Sequence, residues 1–185
     1  QDNINGVIAN GGSAANVIPA SADCEFCIRA DTMKRIEGLI DVIKLCVRNA
    51  EQLTGAKADI SWGEISAERY PNRPMCQAFK DNMATLGIEM KWPDPKAQYG
   101  SSDIGNVSIK IPAIHDYLSI TDDKTIQSHS KAYADAAASP QADEICLKGA
   151  KGLAMTALDI LEDSKFRDEI NAFHDAQVPE RYHEK

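Results

Sequence analysis

Asp23-Cys24-Glu25-Phe26-Cys27-Ile28-Arg29 reads as a strand, and Asp31-Thr32 directly after it supply the oxygen chemistry that caps a helix N-terminus. The helix that follows carries apolar residues at Met33, Ile36, Leu39, Ile40, Ile43, Cys46, Val47, Ala50 and Leu53, the spacing of one helical face, and Gly55 closes it as a left-handed C-terminal glycine. Upstream, Ile4 to Ile8 is short and β-prone and runs into Asn10-Gly11-Gly12-Ser13, a loop whose glycines permit positive φ. Downstream, Ala58 to Ile65 reads as a further strand. Tyr70-Pro71-Asn72-Arg73-Pro74 then breaks regular structure twice in four residues, which places a domain boundary between residues 1–70 and 71–185. The order strand, strand, helix, strand is three quarters of a ferredoxin-like unit, with its first strand and helix expected upstream.

The second half is mainly helical. Pro74 to Leu86 predicts a helix ended by Gly87, and Trp92-Pro93-Asp94-Pro95 a rigid loop. Ile109 to Ile120 fits a buried strand interrupted near its start by Pro112. Ser139 caps a long helix with Pro140 at its first position, and Leu147, Ala150, Leu153, Ala154, Ala157, Leu158 and Leu161 trace its apolar face. Phe166, Ile170 and Phe173 continue helical spacing in a shorter segment. The fold class is α+β in two units.

Of the 185 residues, 43% are hydrophobic and 26% charged, which is ordinary globular composition. Twenty-eight acidic against twenty basic residues give a formal charge of −8, which repels a phosphate backbone and argues against nucleic-acid binding. No apolar run is long enough to span a bilayer, and Gln1-Asp2-Asn3 does not open a signal peptide. The five cysteines have no framework spacing, so reduced thiols and a cytoplasmic location are expected. Cys24 and Cys27 stand three apart on a strand, where side chains point to opposite faces, so a structural role is expected rather than shared chelation.

Taken alone, Gly11-Gly12-Ser13 lacks the helix and the Gly-Lys-Ser/Thr of a phosphate loop. Asn10-Gly11-Gly12-Ser13-Ala14-Ala15-Asn16-Val17-Ile18-Pro19 together with Phe26-Cys27-Ile28-Arg29-Ala30 resembles the lid domain of the di-zinc peptidase superfamily of aminoacylases, carboxypeptidase G and succinyl-diaminopimelate desuccinylase. Gly100-Ser101-Ser102-Asp103, Pro112-Ala113-Ile114-His115 and His129-Ser130 follow in that family's order, and the tail around Ala150-Lys151-Gly152-Leu153-Ala154 looks like its closing helix. Within the superfamily the likeness is to the amidohydrolase or aminoacylase-like branch that includes dipeptidases and p-aminobenzoyl-glutamate hydrolase subunits.

The resemblance implies a partial ferredoxin-like lid at 1–70, commonly used for homodimerisation, and the C-terminal helices and strand of a zinc-peptidase catalytic domain at 71–185. It implies an enzyme that hydrolyses the amide bond of N-acyl amino acids or dipeptides with two zinc ions, or manganese or cobalt. Gln1 falls within the lid, so most metal ligands and the Glu general base are expected upstream, and these 185 residues alone are expected to be inactive with an incomplete metal site. His129 matches the late metal-ligating histidine, although Lys131 stands where the family often has Pro or Glu. Asn16 and Arg29 match lid positions that hold the substrate's carboxylate or carbonyl oxygen. An arginine fork suits a carboxylate, and an Asn amide donates to an oxyanion without changing charge. Gly100, Ser101 and Ser102 would add backbone and hydroxyl donors to the substrate.

Each of these residues also has a plain structural reading. Asn16 suits a turn before Val17-Ile18-Pro19, Arg29 a solvated strand end, and Ser101-Ser102-Asp103 a helix cap. His115, inside an apolar stretch, reads as a hydrogen-bonded core residue rather than a ligand, and His174 and His183 as solvated tail residues. A reading from another class is a non-catalytic module for dimerisation or peptide binding.

Overall fold

The computed structural model describes residues 2–94 and 100–183; Pro95 of the expected rigid loop and Tyr99 beside Gly100 lie outside them. The chain is mixed α and β, with one two-stranded antiparallel sheet and six α-helices among the described residues. It divides into two compact units, Gln1–Glu68 and Arg69–Lys185. No helix among the described residues is long and apolar enough to cross a membrane.

In the first unit β1 (Asn3–Asn10) pairs with β2 (Asp23–Arg29), in a register that runs from Asn3 opposite Arg29 to Asn10 opposite Asp23, with an irregularity between Ile8 and Asn10. Gly6 faces Phe26, whose ring lies over it so closely that a Cβ at Gly6 would stand 2.6 Å from two ring carbons. The aromatic ring thus covers backbone that a strand glycine leaves bare. α1 (Met33–Thr54) starts on Thr32, whose hydroxyl accepts the Arg35 N–H, and stops at Gly55 with φ +75°. Its half-buried stripe of Met33, Ile36, Leu39, Ile40, Ile43 and Val47 is the one the spacing predicts, and the helix lies against β2. Cys46, Ala50 and Leu53, expected on the same stripe, are exposed.

Residues 58–65 do not form the expected strand. A strand needs a neighbouring strand for its N–H and C=O groups, and Gly63 contributes nothing to a pleated face. The segment runs instead along α1, fastened by side chains: Glu51 Oε1 accepts the Ala58 N–H (2.8 Å), Lys44 stands over the Trp62 ring (5.6 Å), and Glu68 Oε2 accepts the Met33 N–H (2.8 Å).

The second unit is built on α2 (Arg73–Thr85), α5 (Pro140–Glu162) and α6 (Ser164–Gln177), with short helices α3 (Ile104–Ser108) and α4 (Lys131–Ala137) and a 3-10 turn at Glu180–Tyr182. α2 packs on both α5 and α6. Its inward residues Cys76, Phe79 and Met83 meet small positions of α5: Gly152 comes so close to Met83 and Phe79 that a Cβ there would overlap the methionine sulfur. Asn72 is almost fully buried and ties three segments. Its Oδ1 accepts the Met75 N–H to cap α2, its Nδ2 donates to Ile170 O (2.9 Å) and its backbone N–H donates to Ala113 O (2.9 Å).

The buried strand expected at Ile109–Ile120 reduces to a single parallel bridge between Pro71 and Ala113. Pro112 removes one ladder donor, and among the described residues no further bridge joins this stretch to a neighbour. Strand-like alternation survives without a ladder: Ile114, Asp116, Leu118 and Ile120 are half-buried while His115, Tyr117 and Ser119 are exposed. His115 is therefore not the core histidine expected; its ring stacks on Tyr117 with centroids 4.9 Å apart. His174, expected to be solvated, is buried, and its Nε2 lies 3.0 Å from Ser108 O, an N–H to carbonyl bond. The long C-terminal helix corrects the sequence reading in a further way. α5 buries Ala142, Gly152 and Thr156, whereas the face traced by Leu147, Ala150, Leu153, Ala154, Ala157, Leu158 and Leu161 is exposed.

Candidate functional site

The candidate residues are distributed over both units. In the first, Asn16 stands at the exposed tip of a turn closed by Val17 N–H to Ala14 O (3.2 Å), in the connection between β1 and β2. Gly12, with φ +100°, starts that connection, and its N–H donates to Asn10 Oδ1 (3.2 Å). Gly12 also packs against Pro19, since a Cβ there would stand 3.1 Å from Pro19 Cβ. Arg29 ends β2 opposite Asn3, is exposed, and has no acidic partner among the described residues. Its guanidinium is thus available to a carboxylate from outside the unit.

In the second unit Gly100 and Ser101 are exposed and Ser102 is half-buried at the entry to α3. Ser102 holds the entry to α3, the structural role the sequence offers it. Its carbonyl accepts the Gly105 N–H (3.1 Å) and its hydroxyl takes the Ile104 N–H and reaches Asp103 Oδ1 (3.3 Å), while Asp103 makes no side-chain capping bond. Among the described residues nothing crowds Gly100, where a Cβ would meet no atom within 4 Å. At the end of the same short helix, Ser108 is a buried hub: its hydroxyl accepts the Tyr70 N–H (3.0 Å) and donates to Gly105 O (2.9 Å), and its carbonyl takes His174.

His129 is the non-glycine residue at positive φ (62°) among those described. Left-handed backbone costs a residue with a Cβ roughly 1–2 kcal/mol, so its neighbours must hold it there. They do so from both sides. Asp123 Oδ1 accepts both the backbone N–H (2.9 Å) and the hydroxyl (2.7 Å) of Thr125, closing one turn. After it, the Ser130 hydroxyl donates to Gln127 O (2.7 Å) and accepts the Tyr133 N–H (3.1 Å), closing a second turn and capping α4 in one stroke. The imidazole is exposed, and no hydrogen bond links it to Gly100, Ser101 or Ser102.

Among the described residues, no three of His, Cys, Asp and Glu stand close enough to hold a metal ion by themselves. The strongest electrostatic perturbation lies elsewhere, at a pair the sequence reading passed over. Cys76 is buried in α2 beside Asp116, and burial, with the Asp116 charge next, pushes its thiol up to about 12. Burial also raises the Asp116 carboxyl, against the opposing pull of His115, and Asp116 Oδ2 is buried without a hydrogen-bond partner. An acidic residue among alternating apolar ones was the sequence signal for this pair.

No protein-family model matches the chain. It is similar to the Xaa-Arg dipeptidase of Mus musculus, 37% identical over 164 residues, and to the Xaa-Arg dipeptidase of Homo sapiens, 35% identical over 161 residues. Each match takes in 85% of this chain, which spans about 37% of the mouse and 36% of the human protein. These homologues support a peptidase or amidohydrolase type of family.

Proposed function

We propose that the chain is the C-terminal part of a hydrolase that cleaves dipeptides, with Gln1–Glu68 as part of a ferredoxin-like lid and Arg69–Lys185 as part of the catalytic domain. The observation that carries this reading is the 35–37% identity to Xaa-Arg dipeptidases across 85% of the chain. Their name puts a basic residue at the second position of the dipeptide, and a chain of formal charge −8 attracts such a substrate. Amide bonds of N-acyl amino acids present the same acyl group to the enzyme and are the secondary substrate class. In this scheme Arg29 takes the free carboxylate of the dipeptide and Asn16 donates to the carbonyl oxygen of the bond being broken. Gly100, Ser101 and Ser102 supply further donors along the backbone.

Two zinc ions, or manganese or cobalt, are part of the proposal, with His129 as one ligand. The other donors must come from outside this chain. A cytoplasmic homodimer joined through the lid completes the reading.

The test is turnover by a protein of the relatives' length that carries this chain. Hydrolysis of Xaa-Arg dipeptides ahead of Xaa-Leu dipeptides and N-acetyl-arginine is expected, with loss on chelation and no activity from residues 1–185 alone. Arg29→Ala and Asn16→Ala should each lower kcat/KM by roughly tenfold or more without changing metal content. His129→Ala should remove about one metal equivalent while His115→Ala keeps both. A metal-replete protein that leaves every dipeptide intact overturns the reading.

A further inference from the structure

α3 has five residues, too few to hold itself, since isolated helices shorter than roughly 12–15 residues are marginal in water. Its anchors stand at the end away from Gly100–Ser102. Ser108, buried, closes the helix; His174 reaches its carbonyl from α6 with Nε2 (3.0 Å), and the Tyr70 N–H, just ahead of α2, donates to its hydroxyl (3.0 Å). Two residues on, Lys110 Nζ donates to Tyr182 O (3.1 Å) and ties the chain leaving α3 to the 3-10 turn. The other end is open: Gly100, Ser101 and Asp103 are exposed, and Asp103 makes no capping bond. One hydrogen-bonded path joins the two ends. The Ser108 hydroxyl donates to Gly105 O (2.9 Å), and the Gly105 N–H donates to Ser102 O (3.1 Å).

We infer that His174 is a positioning residue for the Gly100–Ser102 donors: it fixes the Ser108 end of α3, and the path through Gly105 carries that hold to Ser102. The inference rests on the reading of Gly100–Ser102 as facing substrate. Two features single out His174. Ser108 O can only accept, so the ring presents Nε2–H to it, and burial keeps that donor in one place. Nδ1 lies 3.8 Å from the carboxylate of exposed Asp175, beyond hydrogen-bond length, so the hold on α3 is made through Nε2. α6 in turn packs on α2 and α5, so His174 refers a five-residue helix to the framework of the unit. A misplacement of about 1 Å in a group that orients substrate can lower a rate on the order of 100-fold.

Paired amide substitutions test this in a protein of the relatives' length that carries this chain. His174→Gln places an amide nitrogen near Nε2, whereas His174→Asn reaches only as far as Nδ1. His174→Gln should keep kcat/KM for an Xaa-Arg dipeptide within about threefold of wild type, and His174→Asn should lower it roughly tenfold or more. Added to Ser102→Ala, His174→Asn should lower it by less than about threefold further, because the two changes act on one path. Gly152→Ala loosens the same unit away from α3 and should stay within about twofold of wild type. His174→Asn should also speed hydrogen exchange of the Gly105 amide about tenfold relative to amides of α5. Equal kcat/KM for the two His174 variants, additive losses with Ser102→Ala, an equal loss in Gly152→Ala, or unchanged Gly105 exchange overturns the inference. If His174→Asn does not fold, nitrogen NMR of the wild-type ring decides: a hydrogen on Nε2 is expected, and a neutral ring carrying it on Nδ1 overturns the inference. A protein that cleaves no dipeptide while His174→Asn still frees Gly105 would remove the proposed activity and leave the hold of His174 on α3 standing.

Discussion

Two glycines of α5 offer the same substitution with opposite expected results. By helix propensity alone, Gly149→Ala and Gly152→Ala should each stabilise by about 1 kcal/mol, since alanine loses less backbone freedom on folding. The surroundings differ. A Cβ at Gly149 would meet one atom, Leu118 Cδ1 at 2.9 Å, the tip of a half-buried side chain that can turn aside. A Cβ at Gly152 would overlap the sulfur of Met83, which is fully buried, and stand 2.9 Å from Phe79 Cε2 on a ring that is itself buried. Neither neighbour has free volume to enter, and overpacking of that kind costs about 1–3 kcal/mol. The propensity term cancels between two positions of one helix, so Gly152→Ala should be less stable than Gly149→Ala by about 1–3 kcal/mol. In a Trp62→Phe background Trp92 reports on the second unit alone, and urea titration of its fluorescence should place the two midpoints about 1 M apart. Pairing Gly152→Ala with Met83→Ala should destabilise by less than the two single changes added together, because the truncated side chain makes room. Equal midpoints for the two glycine variants would refute the close packing of α2 on α5.

Asn72→Ala should destabilise the second unit by about 2–4 kcal/mol, since it removes a helix cap and a buried bond to Ile170 O; retained stability in urea would count against its tying role. Asp116 has a carboxyl raised in the folded state, so its contribution is fully present below the unfolded pKa and is lost as pH rises through the raised folded one. Asp116→Asn should therefore stabilise at pH values above the raised folded pKa and flatten the pH dependence of the unfolding midpoint just above the ordinary carboxylate range; an unchanged profile would show that the carboxyl is not perturbed. Thiol counting at neutral pH should find Cys24, Cys27, Cys46 and Cys146 accessible and Cys76 silent until urea unfolds the chain, and fast labelling of Cys76 would contradict its burial.

Local chemistry was legible in the sequence wherever a single side chain decides it. Thr32 and Gly55 bound α1, Ser139 caps α5, and β2 runs over the residues read as a strand. Pairing was less legible. Residues 58–65 and 109–120 have strand composition, but a ladder depends on a neighbour far away in sequence, and composition says nothing of whether one is present. The direction of α5 shows the same limit, because a helix apolar on two sides gives one periodicity and no indication of which side meets α2. For the site, Ser102 was readable as part of a helix entry. The left-handed backbone of His129 was not, since it arises from the turns at Asp123 and Ser130 rather than from the histidine itself.

The attachment of residues 56–68 to α1 has a kinetic consequence. A strand in a sheet is held by bonds that share one register and break together, whereas the grips of Glu51 on Ala58, Lys44 on Trp62 and Glu68 on the Met33 N–H are side-chain contacts spaced along the helix, with no shared register. Each can release and re-form while the others hold, so the segment should peel in steps from either end without disturbing β1, β2 or α1. Its solvent exchange would then be graded from one anchor to the next, where a laddered strand would show one common rate.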